Sequence, residues 1–401
     1  MSETETPTKG RGRVLLSWIQ LSLAVFLLGW SLLAVFEAPS EFFWKPAIAA
    51  TEWGHLLALL CLVTLALPGW RDRPGQVAIP IALLATLLFC SPLFRARSIA
   101  ADLPERVTAA FGSAPPLGLE GAPPRPAPLV MGDLFGLGQT SEVSVTQRTC
   151  AEVSGQRLLA DVYLREAPTP RPVVIVMHGG SWNSGDQTQL PAINRYLAAR
   201  GYGVVAITYR LAPESPFPAA YEDVLSAVAW VKREGPALGL DPERIVLLGR
   251  SAGGHLALLA GYTPRDPAIR GVIAYYPPVD MVWSYEHPSN PWVFDSIGTL
   301  SAFLSGSPSE QPKLYADASP LAFANASSPP TLLVHGARDE LVFQRQSELL
   351  SERLTELGVA HLHLALPWAT HGCDANLAGP SGQLSTYAIE RFLASVCAPG
   401  S

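Results

Sequence analysis

The chain has 401 residues, 48% of them apolar and 15% charged, with a formal net charge of −6. A soluble domain is about 25% charged; so much apolar surface excludes a wholly disordered chain, and the acidic balance argues against nucleic-acid binding driven by a basic field. Residues 1–100 hold eight Lys or Arg against six Asp or Glu and residues 101–401 twenty against twenty-eight, so a faintly basic N-terminal part precedes an acidic remainder.

Val14 to Phe36 is a run of 23 residues with no ionisable side chain. About 20 helical residues cross a hydrocarbon core of ~30 Å, so this run is expected to span a membrane. It is too long for the apolar region of a cleavable secretory signal, and no small-x-small site follows it directly. A second span is expected over 47–67, with Glu52 and His55 at the interface or against neighbouring helices. A third is expected over 77–94, where Pro80 sits near the start and costs a helix least. Lys9, Arg11 and Arg13 precede the first run and Arg71 and Arg73 separate the second from the third; Lys45, Arg95 and Arg97 lie on the opposite side. Positive-inside counting therefore predicts a cytoplasmic tail over 1–13, a membrane anchor over 14–97 and an extracytoplasmic C-terminal part. A Pro/Gly-rich linker is expected over 98–139. Within it, Ser113 to Pro128 is dense in proline, which predicts an extended spacer holding the next domain off the bilayer.

From residue 140 to 401 short β-rich runs alternate with helical ones. Strands are expected at 142–148, 158–164, 173–177, 204–208, 245–249, 271–275, 331–335 and 361–366. Helices are expected at 188–200, 218–234, 252–261, 344–357 and 383–396. Runs such as Val173 to Met177 and Ile245 to Gly249 are continuously apolar, as burial on both faces of a parallel sheet requires. The alternation argues an α/β fold, with a mostly parallel eight-stranded sheet covered by helices on both faces.

Gly249-Arg250-Ser251-Ala252-Gly253 follows one such strand and opens a helical run. A serine on a sharp strand-to-helix turn needs small neighbours because the backbone there is crowded, and its hydroxyl is presented as a nucleophile. Its base and acid should follow in the order Ser, Asp, His. His371 lies in the loop past the last strand, whereas His361 and His363 alternate inside that strand and are read as structural. Asp339 follows the preceding strand and is the expected acid, with Glu340 as an adjacent substitute. His371 then takes the Ser251 proton and Asp339 fixes the imidazole tautomer. Oxyanion donors are expected from the Ala252 amide at a helix N-terminus and from Gly179 and Gly180 in the loop His178-Gly179-Gly180-Ser181-Trp182.

The HGGSW loop, the YRLAPESPFPAAYEDV segment from Tyr209, the DPERIVLLGRSAGGHLALL segment and the HGARDELV segment resemble α/β-hydrolase carboxylesterases of the hormone-sensitive-lipase-like group, with feruloyl and acetyl esterase relatives. The resemblance covers about residues 140–401. It implies a serine esterase without metal or organic cofactor, acting on a small-molecule or lipid-like ester, and makes Asp223 a structural acid. Ser181 stands where the family carries a third glycine, and Arg250 where an acidic residue or histidine is common.

The insert from Pro277 to Pro330 lies where such folds place a cap. Trp182, Trp283 and Trp292 are candidate substrate contacts, and Tyr285, Phe294 and Phe303 accompany them, either as pocket lining or as the insert's own core. Cys61 and Cys90 fall in expected spans; among Cys150, Cys373 and Cys397 an exported location permits one disulfide. Amide, peptide or arylformamide hydrolysis on the same fold, or a non-catalytic sensor or adhesion module, are the competing functions.

Overall fold

The computed structural model describes residues 8–113, 119, 121–136, 142–166 and 170–398. Helix α1 (Thr8–Ser31) runs through the first apolar stretch and ends in a single 3-10 turn, Leu32–Ala34. The second stretch is not one straight helix: α2 (Glu41–Glu52) and α3 (Gly54–Leu65) meet at Trp53 with an 85° bend. Two features place the bend there. Glu52 is drawn out of the apolar bundle toward polar partners, its Oε1 accepting from Ser381 Oγ at 2.6 Å and its carbonyl from Asn376 Nδ2 at 2.9 Å. Gly54 lies against the next helix so closely that a Cβ would sit 2.3 Å from Phe89 O. Among the described residues, two single helices are therefore long and apolar enough to cross a membrane, and a third crossing requires the bent pair.

Helix α4 (Arg73–Phe111) is 39 residues long. Its first part packs against α1 and α3. Arg13 Nε lies 3.5 Å from Asp72 Oδ2, which puts the start of α1 and the start of α4 at one end of the bundle. The linker expected from residue 98 thus begins as helix. Leu103 and Val107 are buried with Phe392 and Leu393 in one core, Phe111 stacks edge-on to Phe392 at 4.9 Å, and Arg106 Nη2 donates to His363 O at 2.9 Å. Apolar residues at helical spacing continue past the membrane-length run, and a second hydrophobic surface is what they meet. Residues 114–118, 120 and 137–139 of the expected linker lie outside the described ones. The proline-dense segment is strapped onto the domain where it is described. The Ala122 amide donates to Ala199 O at 2.8 Å, and buried Arg125 donates to Thr386 Oγ1 at 2.8 Å and Asp133 Oδ2 at 2.7 Å, with its amide on Glu390 Oε2. One arginine among the prolines supplies the anchoring that an extended spacer lacks.

The eight strands are β1 (Ser144–Val153), β2 (Gln156–Leu164), β3 (Arg171–Met177), β4 (Gly203–Ile207), β5 (Leu240–Arg250), β6 (Ile269–Tyr275), β7 (Thr331–Gly336) and β8 (His361–Leu366). Their order is β1-β2-β4-β3-β5-β6-β7-β8, antiparallel at β1/β2 and β2/β4 and parallel from β4 through β8. β3 and β5 are buried along their apolar lengths, Val173 pairing with Ile245 and Val176 with Leu248. Helices α5 (Ala192–Ala198), α6 (Ala219–Glu234) and α7 (Ala252–Tyr262) follow β3, β4 and β5. The insert carries α8 (Met281–Glu286), α9 (Ser296–Leu304), α10 (Pro312–Asp317) and α11 (Pro320–Phe323), and α12 (Arg345–Glu356) and α13 (Pro380–Val396) complete the chain. Apolar residues separate onto the two faces of the sheet. α6, α7, α12 and the insert cover one; α5, α13 and the second half of α4 cover the other.

Because α4 is part of that second layer, Leu103→Ala is expected to remove about 2–5 kcal/mol of stability, as cavity-forming core substitutions do. A fall in the thermal unfolding midpoint of the detergent-solubilised chain checks this; an unchanged midpoint contradicts the packing.

Candidate active site

The central parallel strands end in the loops that carry the site. Ser251 caps the N-terminus of α7 with φ 52° and ψ −120°, a conformation strained for a non-glycine residue. The crowding that sets this turn is measurable at its glycines: a Cβ on Gly249 would lie 2.0 Å from Gly253 O, and one on Gly253 2.4 Å from the carbonyls of Met177 and His178. Only Gly fits those positions. The Ser251 amide donates to Tyr275 O at 2.9 Å, which ties the turn to the end of β6.

Asp339 and His371 are brought together by the loops after β7 and β8. His371 Nδ1 donates to Asp339 Oδ2 at 2.7 Å. The other carboxylate oxygen accepts the amides of Leu341 and Val342 at 3.0 and 2.9 Å, so the acid is fixed from both sides. His335, on β7, has Nε2 2.8 Å from Val342 O and 3.3 Å from Asp339 Oδ2, while its Nδ1 faces Ser347 Oγ at 2.7 Å. That pattern fits the Nε2–H tautomer. Burial alone raises the Asp339 carboxyl; the two imidazoles beside it reverse this and hold it down at about 2. Glu340 turns away from His371 and accepts the Ala38 amide, which removes it as the substitute acid.

Ser251 and His371 line one cleft. Its walls include Trp283, Phe294, Leu300, Leu341, Val342 and Phe343, with Ser289, Ser296 and Thr299 among them. Trp182 reaches the cleft but is largely a core residue, stacked on Phe303 at 4.3 Å with its indole N–H 3.1 Å from His255 Nδ1. Trp283 lines the cleft and stacks on His287 at 4.2 Å. Trp292 does not line it: its side chain is 78% exposed and its carbonyl accepts the Glu41 amide at 2.9 Å. The aromatic insert therefore serves both roles, with Phe294 in the cleft wall and Phe303 in the core.

One amide of the expected oxyanion loop is already bonded. The Gly179 amide already donates to Gln189 Oε1 at 2.7 Å, so it is not available to a substrate oxygen. Gly180 and Ser181, both at positive φ, follow it in the loop, and Ser181 lines the cleft. Gln189 lies ten residues downstream with no motif of its own, which is why the sequence did not reveal it. Asp374 is a second missed residue. It takes the guanidinium of buried Arg250 and the Tyr276 hydroxyl, and the unusual arginine in the serine motif was its one signal.

His361 bonds Val359 O and Ser351 Oγ at 2.8 and 3.0 Å, and burial lowers His363 to about 3; neither lines the cleft. Asp223 is buried and accepts the Arg210 amide at 2.7 Å and its Nε at 2.9 Å, a structural tie. All five cysteines are free thiols. Burial holds the Cys373 thiol well above its ordinary range, so its neighbourhood to His371 does not make it a thiolate nucleophile.

The BD-FAE family model matches residues 160–354. Esterase LipC and the probable carboxylic ester hydrolase LipM, both of Mycobacterium tuberculosis (strain ATCC 25618 / H37Rv), are 33% and 30% identical to this chain over 255 and 245 residues, covering 59% and 57% of it. Hormone-sensitive lipase of Mus musculus is 35% identical over 169 residues, 41% of this chain and 22% of that protein. Over residues 160–354 and their flanks the chain is thus similar to carboxylic ester hydrolases, hormone-sensitive lipase among them. It spans 62% and 55% of the length of the two mycobacterial relatives, less than two thirds of either. Among solved structures, a bacterial heroin esterase superposes with a TM-score of 0.57 at 22% identity, over 67% of this chain and 89% of that one. The carboxylesterase EstE1, cloned from a metagenomic library, gives 0.55 at 24% identity, over 77% and 98%. These two likenesses speak for the α/β-hydrolase fold alone.

The Asp339 carboxyl sits below its ordinary value of 3.8. A group depressed on folding stabilises the native state above its unfolded pKa, and that contribution is lost as pH falls through the folded one. Unfolding free energy is therefore expected to drop by about 2 kcal/mol between pH 4 and pH 2 through this group. Asp339→Asn should flatten that part of the stability curve; an equally steep acid decline in the variant contradicts the assignment.

Proposed function

We propose that this chain is a membrane-anchored serine hydrolase that cleaves carboxylic esters through an acyl-enzyme. The observation that carries the reading is the 2.7 Å His371–Asp339 hydrogen bond in the cleft that also holds Ser251 on its strained turn. With Nδ1 committed to Asp339, the imidazole has Nε2 left to take the Ser251 proton as the hydroxyl attacks the ester carbonyl. The same nitrogen returns that proton to the departing alcohol. Water then enters by the reverse sequence and releases the acid. Asp339 stays ionised throughout and stabilises the imidazolium.

The tetrahedral oxyanion is assigned to the amides of Gly180, Ser181 and Ala252. The last begins the eleven-residue helix α7, whose dipole favours negative charge at that end. Losing one such donor costs about 2.7–4 kcal/mol of transition-state stabilisation. The cleft's aromatic and aliphatic walls suit an acyl or aryl group of modest size. We further assign the N-terminal helices as three crossings, with the bent pair α2–α3 as the middle one, which places the hydrolase domain outside the cytoplasm.

Ser251→Ala is expected to abolish hydrolysis of short-acyl p-nitrophenyl esters while leaving the circular dichroism spectrum and melting temperature unchanged; retained turnover would sink the mechanism. Matched ester and anilide substrates should show cleavage of the ester in strong preference, and equal rates would turn the reading toward an amidase. For orientation, an epitope appended to the C-terminus should bind antibody on intact cells. Binding only after permeabilisation reverses the topology.

A further inference from the structure

The residues that join α1 to α2, and the first turn of α2, lie across both loops of the triad. Trp44 Nε1 donates to His371 O at 3.1 Å, and its ring sits 6.3 Å from the imidazole, centroid to centroid. On the acid loop, both neighbours of Asp339 reach to the same segment. The Arg338 guanidinium donates to Leu33 O at 3.1 Å and to Phe36 O, and Glu340 accepts the Ala38 amide. Arg338 also joins the two loops, its Nη1 on Trp368 O at 3.2 Å and its amide on Ala369 O at 3.0 Å. Arg338 is 9% and Glu340 7% exposed. Charged side chains are buried at such levels only when they are partnered, and here much of the partnering comes from backbone more than 300 residues away. Burial moves both toward neutrality, lowering Arg338 and raising Glu340 to about 7.

We infer that residues 33–44 form a clamp that positions the catalytic acid and base, with Trp44 the positioning residue for His371. The inference rests on the esterase reading of Ser251, Asp339 and His371. Neither Trp44 nor the backbone of 33–38 lines the cleft, so the segment acts through the loops it holds. Small displacements of reacting groups are costly in rate, up to about a hundredfold for 1 Å. A loosened His371 loop accordingly lowers kcat, while the cleft walls that bind substrate, and with them KM, stay as they are.

The test uses the full chain in detergent, with two readouts. One is kcat and KM on a soluble p-nitrophenyl ester; the other is amide hydrogen exchange of residues 338–342 and 368–374. Trp44→Phe removes the donor and keeps an aromatic ring, and Glu340→Leu removes the acceptor for the Ala38 amide. Both are expected to lower kcat roughly tenfold with KM within twofold and to speed exchange in the loop they touch. Glu340→Gln, which keeps an acceptor oxygen, should stay within twofold of the parent. Trp18→Phe, exposed on α1 at 56%, should leave both readouts unchanged. Unchanged exchange in Trp44→Phe and Glu340→Leu, an unchanged kcat in an active parent, or an equal loss in Trp18→Phe would overturn the clamp. Should the unsubstituted chain hydrolyse no ester, the esterase reading fails, and the exchange comparison alone still decides for or against the clamp.

Discussion

The turn between β5 and α7 is the constraint on which the rest of the hydrolase domain is built. Ser251 is held at a positive φ by a backbone with no room for a Cβ on either side of it. Such strain persists only when the surroundings over-determine it. They do so here through parallel pairing of β5 with β3 and β6, through the Ser251 amide on Tyr275 O, and through His255, one turn into α7, which faces Trp182 and Ala318 O. Burial lowers His255 to about 4, so it ties the helix to the insert as a neutral ring near pH 7. Adjacent parallel strands then deliver Asp339 and His371, in the loops after β7 and β8, to the same end of the sheet as Ser251.

Beneath this turn and beyond it the protein buries charged groups in networks. Arg250 lies beneath the turn on Asp374, which also takes the Tyr276 hydroxyl, and the Tyr276 ring lies 4.3 Å from the His371 ring. Arg125 and Arg200 converge on Glu390 at the far side of α13. Buried ion pairs add little net stability, because desolvation offsets the attraction, but losing one partner strands the other charge. Their consequence here is geometric. Arg250–Asp374 couples the serine turn to the loop after β8, and the Arg125–Glu390 cluster couples the described end of the linker to the helix that covers the sheet.

The hydrolase fold was legible because its signals are local. Continuous apolar runs mark β3 and β5, and the strand boundaries predicted from them differ from those observed by a few residues. That Ser251, Asp339 and His371 lie at one end of the sheet was legible for a related reason: each follows a strand in fixed order. What was hidden depends on partners far off in sequence. Gly179 looked like an oxyanion donor because nothing nearby announces Gln189, and Trp292 looked like a pocket residue because composition does not say which way an insert turns. The expected linker was misplaced because hydropathy averages over a helix. Past residue 97, α4 becomes too polar overall to read as a span, yet Leu103 and Val107 keep one apolar stripe on the core. The bend at Trp53 was foreshadowed only by Glu52, a carboxylate whose partner, Ser381, lies 329 residues away.

That separation has a kinetic side. The Ala38–Glu340 and Trp44–His371 contacts close loops of 302 and 327 residues. During synthesis, at about 5–20 residues per second, the segment that carries Trp44 emerges 327 residues ahead of its partner His371. Contacts of such high sequence separation carry a loop-closure cost and form after local ones. The hydrolase sheet is mostly assembled from neighbours, but the seam between it and the first fifty residues is sewn last. In a nascent chain Ser251 is therefore in place before the loops of Asp339 and His371 can meet residues 33–44.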